Sequence, residues 1–290
     1  MRALVLGGTG MLGRQVVAAG RRRGHGVLGL ARGHADVTDR GRLLYWAQVF
    51  RPEVVFNCAA MTAVDACESE EERAFAVNAR GVAHAAEAAR SVAARLLHVS
   101  TDYVFDGRGS APYPEGAPTG PLSVYGRSKL AGEEEALAWE RGAVVRTSWL
   151  FGPGGANFVT TMLRLVAGGT DPLRVVDDQV GCPTYTRYLG RALWDLAEHG
   201  LGAAGSPPRV VHYRNREPVS WYGFAREIVS ARAPSVGVEP VPTSAFPRPA
   251  PRPAYSVLAV DRFEELVGRP VESWHAALGE YLEILHAGAD

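Results

Sequence analysis

The chain has 290 residues, of which 47% are hydrophobic, and its 31 basic and 31 acidic residues give a formal net charge of zero. This length fits one α/β domain with a smaller appendage, and the balanced charge argues against nucleic acid or an anionic membrane as the main partner. No apolar run of 18 residues and no signal peptide are recognisable, so we expect a cytoplasmic protein without a membrane span. The three cysteines, Cys58, Cys67 and Cys182, show no metal-binding spacing and are expected to be free thiols.

Strands and helices alternate through the first 150 residues. This alternation predicts a parallel, doubly wound α/β sheet. The predicted strands are Arg2–Leu6, Val27–Ala31, Glu53–Asn57, Arg95–Ser100 and Ala143–Thr147. The predicted helices are Met11–Arg23, a helix capped by Thr38 and ending at Phe50, a long helix over Glu70–Ala94, and a helix carrying Tyr125 and Lys129.

The second half of the chain has a different composition. Glycines are frequent over 152–169 and prolines over 234–253, and the regular alternation stops after Phe151. We therefore predict a boundary near residue 150 and a smaller domain over 151–290. The chain is expected to return to the main sheet around 175–213.

A glycine-rich loop follows the first predicted strand directly. Gly7, Gly10 and Gly13 are spaced G-x-x-G-x-x-G, with Met11 and Leu12 at the start of the next helix. Glycines permit a tight turn and a close backbone approach, and the helix N-terminus offers free N–H groups to a pyrophosphate. The loop therefore predicts a Rossmann-type dinucleotide-binding domain over 1–150.

The end of the second strand bears on which dinucleotide is bound. A carboxylate at this place would hold the ribose 2′-hydroxyl of NAD, but the sequence has Arg32 instead. An arginine suits a 2′-phosphate, so NADPH is favoured, and NADH is left open. Asp36 and Val37 are expected to reach the adenine edge.

Tyr125 and Lys129 are one helical turn apart and therefore share a helix face. Two interpretations are open from this spacing alone. The phenol can simply pack on the lysine stem, or its pKa can be lowered by the ammonium so that it exchanges a proton near neutral pH.

Seven sequence stretches together resemble a known family. They are GGTGMLG (7–13), NCAAMTAVDACESE (57–70), STDYVFDG (100–107), YGRSKLAGE (125–133), RTSWLFGPGGANF (146–158), DDQVGCPT (177–184) and RPAYSVL (252–258). The chain resembles the extended short-chain dehydrogenases/reductases, and most closely nucleotide-sugar 4-ketoreductases of the dTDP-4-dehydrorhamnose reductase type. The resemblance implies a dinucleotide-binding domain, a C-terminal domain for a dTDP-linked sugar, and catalysis in the cleft between them.

The resemblance also assigns catalytic roles. It implies hydride transfer from NADPH to C4 of a dTDP-linked 4-keto-6-deoxyhexose, with Tyr125 as proton donor and Thr101 stabilising the carbonyl oxygen. Lys129 would lower the phenol pKa and hold the nicotinamide ribose. Ser100 and Thr101 lie at the carboxyl end of a predicted strand, and ligands of such sheets bind at the carboxyl ends of the strands.

Further residues receive roles from the same resemblance. Asn78 is expected to fix backbone geometry near the active site. Small residues after the third strand would let the cofactor pass closely, and these are Asn57, Ala59 and Ala60. The residues expected to contact the sugar nucleotide are Thr62, Ala63, Val64, Tyr103, Trp149, Asn157, Phe158 and Arg252.

The same scaffold also supports other functions. A dehydratase is disfavoured because the related dehydratases carry Asp-Glu after the threonine, whereas Thr101 is followed here by Asp102 and Tyr103. A nucleotide-sugar epimerase with the same Tyr and Lys stays open. So does a non-catalytic, NADP-binding regulatory subunit resembling the β-subunit of methionine adenosyltransferase.

The sequence predicts no metal at a subunit interface. Some members of the resembling family are dimers whose interfacial glutamates gather around Mg²⁺, and the matching positions here are Gln15, Arg187 and Ile284, which adjoins Glu283. An amide and a guanidinium do not supply the anionic oxygens that Mg²⁺ requires. We therefore expect a monomer, or a dimer without interfacial metal.

Overall fold

The computed structural model describes residues 1–203 and 209–287. The strands within these ranges are β1 (Arg2–Leu6), β2 (Gly26–Leu30), β3 (Val54–Asn57), β4 (Arg95–Thr101), β5 (Gly142–Thr147), β6 (Leu150–Phe151), β7 (Leu173–Val176), β8 (Val180–Gly181), β9 (Thr184–Tyr185), β10 (Val210–His212), β11 (Val219–Ser220) and β12 (Val238–Val241). The α-helices are α1 (Gly13–Arg22), α2 (Arg40–Phe50), α3 (Val64–Ser69), α4 (Glu71–Phe75), α5 (Gly81–Arg90), α6 (Val124–Leu137), α7 (Phe158–Ala167), α8 (Thr186–Glu198), α9 (Trp221–Arg232), α10 (Asp261–Val267) and α11 (Trp274–Ala287).

Six parallel strands form the main sheet in the order β10-β5-β4-β3-β1-β2. The strand order reverses between β1 and β3, because β2 lies on one side of β1 and the later strands lie on the other. In such sheets the crevice at the carboxyl ends of the strands beside the reversal is where ligands bind. The predicted Rossmann-type α/β sheet is confirmed.

The two faces of the sheet are covered by different helices. Side chains alternate along β1, so that Val5 belongs to one apolar core and Leu4 to the other. On the first face α1 packs against α8, and on the second α2 packs against α5, which in turn packs against α6. Burial on both faces explains why the strands read as continuous apolar runs.

The second half of the chain contributes both to the main sheet and its helices and to smaller sheets outside it. β10 pairs with β5 in the main sheet, and α8 covers α1. Three two-stranded sheets, β11-β8, β12-β7 and β6-β9, lie outside the main sheet. Helix α7 packs against α9, and α9 packs against β7 and β12.

Two predicted features of the helices are wrong in detail. The helix expected over Glu70–Ala94 is divided into α4, a π-helical turn over Ala76–Arg80, and α5. The side chain of Asn78 in this turn bonds to neighbouring segments, which accounts for the irregularity. Asp39, rather than Thr38, caps α2, because its side chain accepts the N–H of Arg42 at 3.0 Å.

Candidate active site

The glycine-rich loop lies between β1 and α1 and is tightly folded. Gly7 has a positive φ of 70°, and a Cβ there would lie 2.9 Å from the backbone nitrogen of Ala59. A Cβ on Gly13 would lie 2.1 Å from the Gly7 carbonyl oxygen. A Cβ on Gly10 would meet only that same oxygen, at 3.2 Å, so this glycine leaves room on the side away from the loop.

A first cavity, which we call the adenosine cavity, opens beside this loop and has a volume of about 300 Å³. Arg32 lines it and donates to Asp36 at 2.9 Å. The backbone N–H of Thr38 and the guanidinium of Arg32 hold the Asp36 pKa below its usual value, against the effect of burial. The lining residues predicted from sequence are Gly7, Gly10, Arg32, Asp36, Val37, Ala59 and Ala60. Those that sequence reasoning missed are Thr9, Ala35, Cys58, Met61, Arg73 and Val77.

A second cavity of about 450 Å³, the reaction cavity, continues from the first along the carboxyl ends of the strands. The two share Gly10, Cys58 and Ala60. The predicted residues that line it are Gly10, Met11, Leu12, Ala60, Thr62, Val64, Ser100, Thr101, Tyr103, Tyr125, Lys129 and Trp149. The three predicted catalytic side chains thus lie in one cavity, although they come from β4 and α6.

Tyr125 is buried, and burial is the main reason that its pKa is raised above the usual value for a phenol. The Thr101 side chain opposes this effect, while the charge of Asp102 adds to it. The ammonium of Lys129 donates instead to the Val99 carbonyl at 2.7 Å and lies 3.1 Å from His98 Nε2. The expectation that Lys129 lowers the Tyr125 pKa is therefore wrong for this arrangement, because the lysine head is turned toward β4.

Thr101 is hydrogen-bonded within its own turn. Its hydroxyl donates to Asp102 Oδ1 at 3.0 Å and accepts the N–H of Tyr103 at 3.2 Å. Asp102 also lines the reaction cavity, and its burial raises the carboxyl pKa to about 6. Sequence reasoning used Asp102 only to argue against dehydration and did not place it in the site.

Two buried asparagines hold backbone groups of residues that line the adenosine cavity. Asn78 accepts the Met61 N–H at 2.8 Å and donates to the Met61 carbonyl and to Ser128 Oγ, both at 3.0 Å. This confirms the role expected of Asn78. Asn57 accepts the N–H of Ala59 at 3.2 Å and lies outside both cavities, so its place is beneath the cleft.

A third cavity, the outer cavity, has a volume of about 890 Å³ and meets the reaction cavity at Tyr103 and Trp221. Phe158 and Arg252 line it, as the sequence predicted. Arg252 donates to both oxygens of Asp65, at 2.8 and 2.9 Å, and this contact is the main cause that lowers the Asp65 pKa. Lining residues that were missed include Thr161, Arg174, Gln179, Trp221, Thr243 and Arg248.

An aromatic stack stands where the reaction and outer cavities meet. The Trp149 and Trp221 rings are 3.5 Å apart and nearly parallel, and Phe158 packs on Trp221 at 4.5 Å. A Cβ on Gly181 would lie 2.5 Å from the Trp149 indole, so the glycine in DDQVGCPT makes room for it. Tyr103 faces Tyr125 edge-on at 5.5 Å.

Four predicted contact residues do not line the cavities. Gly13 and Asn57 support the loop and the strand end. Ala63 precedes α3 and is exposed. Asn157 caps α7, and its amide donates to Gly152, Gly155 and Tyr281 at 3.0 to 3.1 Å. Its polar atoms are committed to these bonds, so the structure gives Asn157 a supporting place rather than the predicted contact with the nucleotide.

Within the described ranges, no group of three or more His, Cys, Asp or Glu side chains is arranged to hold a metal ion. Arg187, on α8, pairs with Glu280 on α11. No helix of the described residues is long and apolar enough to cross a membrane. The three cysteines are free.

The cleft formed by the adenosine and reaction cavities fits a dinucleotide. It extends from Arg32 past the glycine-rich loop to Tyr125 and Lys129, and the two cavities meet at Gly10, Cys58 and Ala60. A glycine-rich first turn, a crevice at the strand reversal, and Thr, Tyr and Lys side chains at its inner end are the features of an extended short-chain dehydrogenase/reductase.

Comparison with known proteins narrows this class. Residues 1–287 match the family described as "RmlD substrate binding domain", and the chain belongs to this family. It is 45% identical to the dTDP-4-dehydrorhamnose reductase of Streptomyces griseus over 282 residues, which cover 96% of this chain and 92% of that protein.

Two solved structures are similar over almost the whole chain. A dTDP-4-dehydrorhamnose reductase from Clostridium acetobutylicum ATCC 824 has a TM-score of 0.91 at 38% identity, covering 99% of this chain and 100% of that one. The dTDP-4-dehydrorhamnose reductase from Bacillus anthracis str. Ames, in complex with NADP, has a TM-score of 0.90 at 34% identity, covering 97% and 98%. Relatives named in this way are nucleotide-sugar reductases, so the resemblance inferred from sequence is confirmed.

Proposed function

We propose that this chain reduces the C4 keto group of a dTDP-linked 4-keto-6-deoxyhexose, with NADPH as the reductant. The observation that carries the proposal is the order of the cavities. The reaction cavity, which contains Thr101, Tyr125 and Lys129, shares lining residues with both the adenosine cavity and the outer cavity. A cofactor in the first and a sugar nucleotide in the second would meet at these three side chains.

The chain offers groups for each part of the cofactor. Arg32 and Arg73 are the guanidinium groups of the adenosine cavity and suit a 2′-phosphate. The turn from Gly7 to the start of α1 supplies backbone N–H groups for the pyrophosphate. Lys129, which lines the reaction cavity, is proposed to hold the nicotinamide ribose. When bound, the cofactor supplies the hydride.

Tyr125 is proposed as the proton donor to the carbonyl oxygen. Its raised pKa keeps the phenol protonated at neutral pH, which is the form that a donor needs before the reaction. Thr101 is proposed to stabilise the negative charge that develops on the same oxygen. Its hydroxyl proton now points to Asp102, so it must turn from Asp102 to the substrate.

The outer cavity is proposed to hold the nucleotide. Arg174, Arg248 and Arg252 line it and suit a pyrophosphate, while Phe158 and Trp221 offer aromatic faces to a base or a sugar. Trp149 and Tyr103 would enclose the hexose in the reaction cavity. In this proposal the residues that bind the nucleotide line the outer cavity, and the catalytic residues line the reaction cavity.

A panel of dTDP-linked 4-keto hexoses tests the proposal. Incubation with NADPH should oxidise the cofactor and yield a C4 alcohol, whose configuration is read by NMR. dTDP-glucose, which has no keto group, is the control and should leave NADPH unchanged. Tight NADPH binding without oxidation on any keto sugar would instead support the regulatory alternative, and hexose interconversion without net oxidation would support the epimerase.

A further inference from the structure

A chain of hydrogen bonds lies behind the reaction cavity and is not used in the mechanism above. The parallel register of β3 and β4 places Asn57 beside His98. Asn57 Nδ2 lies 3.2 Å from His98 Nδ1, and His98 Nε2 lies 3.1 Å from Lys129 Nζ. All three side chains are almost completely buried, with exposed fractions of 2% or less.

The direction of these bonds follows from the backbone. The Ala59 N–H can only donate, so the Asn57 atom 3.2 Å from it is the carbonyl oxygen. The other end of the amide, Nδ2, then donates to His98 Nδ1. A neutral imidazole that accepts at Nδ1 carries its proton on Nε2, so this N–H points at Lys129 Nζ.

An ammonium cannot accept a hydrogen bond, whereas a neutral amine can. If Lys129 were charged, its N–H and the Nε2–H of His98 would face each other as two donors without an acceptor. A neutral Lys129 would accept from His98 and still donate to the Val99 carbonyl. Every donor and acceptor in this series of hydrogen bonds, from the Ala59 N–H to the Val99 carbonyl, is paired only when Lys129 is a neutral amine.

We propose that Asn57 and His98 are positioning residues that fix one imidazole tautomer, present an N–H to Lys129, and so make Lys129 a readier proton donor. This inference rests on the proposed reduction. When Tyr125 gives its proton to the carbonyl oxygen, a phenolate remains. For this proton transfer the Lys129 ammonium must turn from the Val99 carbonyl toward Tyr125, where it restores the phenol. The resulting amine returns to the Val99 carbonyl and accepts from His98, and it later takes up a proton from water.

The charges around Lys129 are consistent with this arrangement. Burial lowers the Lys129 pKa to about 8, against the opposing charge of Glu133 on α6. Burial and the Lys129 charge both lower the pKa of His98, which keeps the ring neutral. Tyr125, one turn away on α6, is held in its neutral form by burial.

The tautomer is measured directly by ¹⁵N NMR of histidine side chains in the free, full-length protein, with His98→Gln identifying the signal. We expect His98 to be neutral with its proton on Nε2 both below and above the Lys129 pKa of about 8, because Asn57 fixes the tautomer. A proton on Nδ1, or a charged ring, would overturn the proposal. This result does not depend on turnover, so it is distinct from any failure of the proposed reaction.

The Asn57→Asp substitution should reverse the donor and acceptor roles along this series of hydrogen bonds. A carboxylate accepts from Nδ1–H, which leaves the Nε2 lone pair facing Lys129 and favours the ammonium. The alkaline limb of kcat/KM should then move upward by about one pH unit or more. Asn57→Ser, which adds no carboxylate, is the matched control and should shift the limb less. An unmoved limb in Asn57→Asp, or equal shifts in both variants, would contradict the proposal.

Discussion

The dinucleotide cleft and the outer cavity are built in different ways. The cleft is formed mainly by short contiguous segments at the carboxyl ends of β1 to β5, together with Tyr125 and Lys129 of α6. The outer cavity is lined by side chains from α7, β7, α9 and the proline-rich segment around Arg252. These segments are distant in sequence and are brought together by packing.

The side chains of the two regions also differ in how deeply they are buried and in the role we propose for them. Tyr125 and Lys129 are buried, and burial shifts the pKa of both. In the outer cavity Arg252 is paired with Asp65, and Arg248 is largely exposed. We therefore expect changes in the reaction cavity to alter kcat and changes in the outer cavity to alter KM for the sugar nucleotide.

The largest effect is expected from Tyr125→Phe. Loss of the proton donor should lower kcat by roughly 10²–10⁴-fold, with little change in NADPH affinity, because the phenol acts on the substrate carbonyl. Steady-state kinetics and NADPH titration measure both quantities. Tyr222→Phe removes the same hydroxyl type outside the cavities and serves as the control. A Tyr125→Phe enzyme with near-normal kcat, in a regime where chemistry limits turnover, would remove the basis of the mechanism.

Arg32→Asp should affect the far end of the same cleft. A contact between a guanidinium and a phosphate contributes about 1.5–3 kcal/mol, so NADPH affinity should fall by roughly 10- to 150-fold while NADH affinity falls less. The Arg32 side chain is 73% exposed, which favours the lower end of that range. Titration of each cofactor provides the measurement. Unchanged affinity for both cofactors would mean that Arg32 is only a surface residue.

Arg252→Gln should raise KM for the sugar nucleotide by about tenfold, as expected for one charge-assisted bond, without weakening NADPH. Because Arg252 also holds Asp65, the Asp65→Asn variant is the matched control. It weakens the ion pair and keeps the guanidinium. If Asp65→Asn raises KM as much as Arg252→Gln does, Arg252 orders the loop rather than binding the nucleotide.

The smallest expected effect is that of EDTA. The positions Gln15, Arg187 and Ile284 offer no anionic oxygen, so turnover and sedimentation should be the same with EDTA and with excess Mg²⁺. A metal-dependent change in mass or rate would show that other side chains supply the ligands. An unchanged rate would show that neither cofactor binding nor substrate binding requires Mg²⁺.

The sequence predicted the cleft better than the outer cavity for a physical reason. The glycine loop and the Tyr125–Lys129 pair are local patterns, in which spacing alone sets geometry. His98 and Trp221 carry no such signal, because the first depends on the register of β3 with β4 and the second on packing against Trp149. The family resemblance assigns Asn157 to the nucleotide, and its role as the cap of α7 is visible only once that helix is in place.

The orientation of Lys129 also lay beyond the sequence. The spacing to Tyr125 predicts a shared helix face, but it does not specify where a long side chain ends. The Val99 carbonyl on β4 draws the ammonium away from the phenol. A local pattern thus predicted that the two side chains line one cavity, while a long-range contact decides where the Lys129 ammonium lies.

Transfer of deuterium from labelled NADPH tests the central claim most directly. NADPH carrying deuterium at the transferred position is incubated with a dTDP-linked 4-keto-6-deoxyhexose, and the product is examined by NMR. The proposed reaction predicts one equivalent of cofactor oxidised and deuterium bound to C4 of the sugar. Deuterium at another carbon, or a changed sugar that carries no deuterium and leaves the cofactor unoxidised, would contradict it.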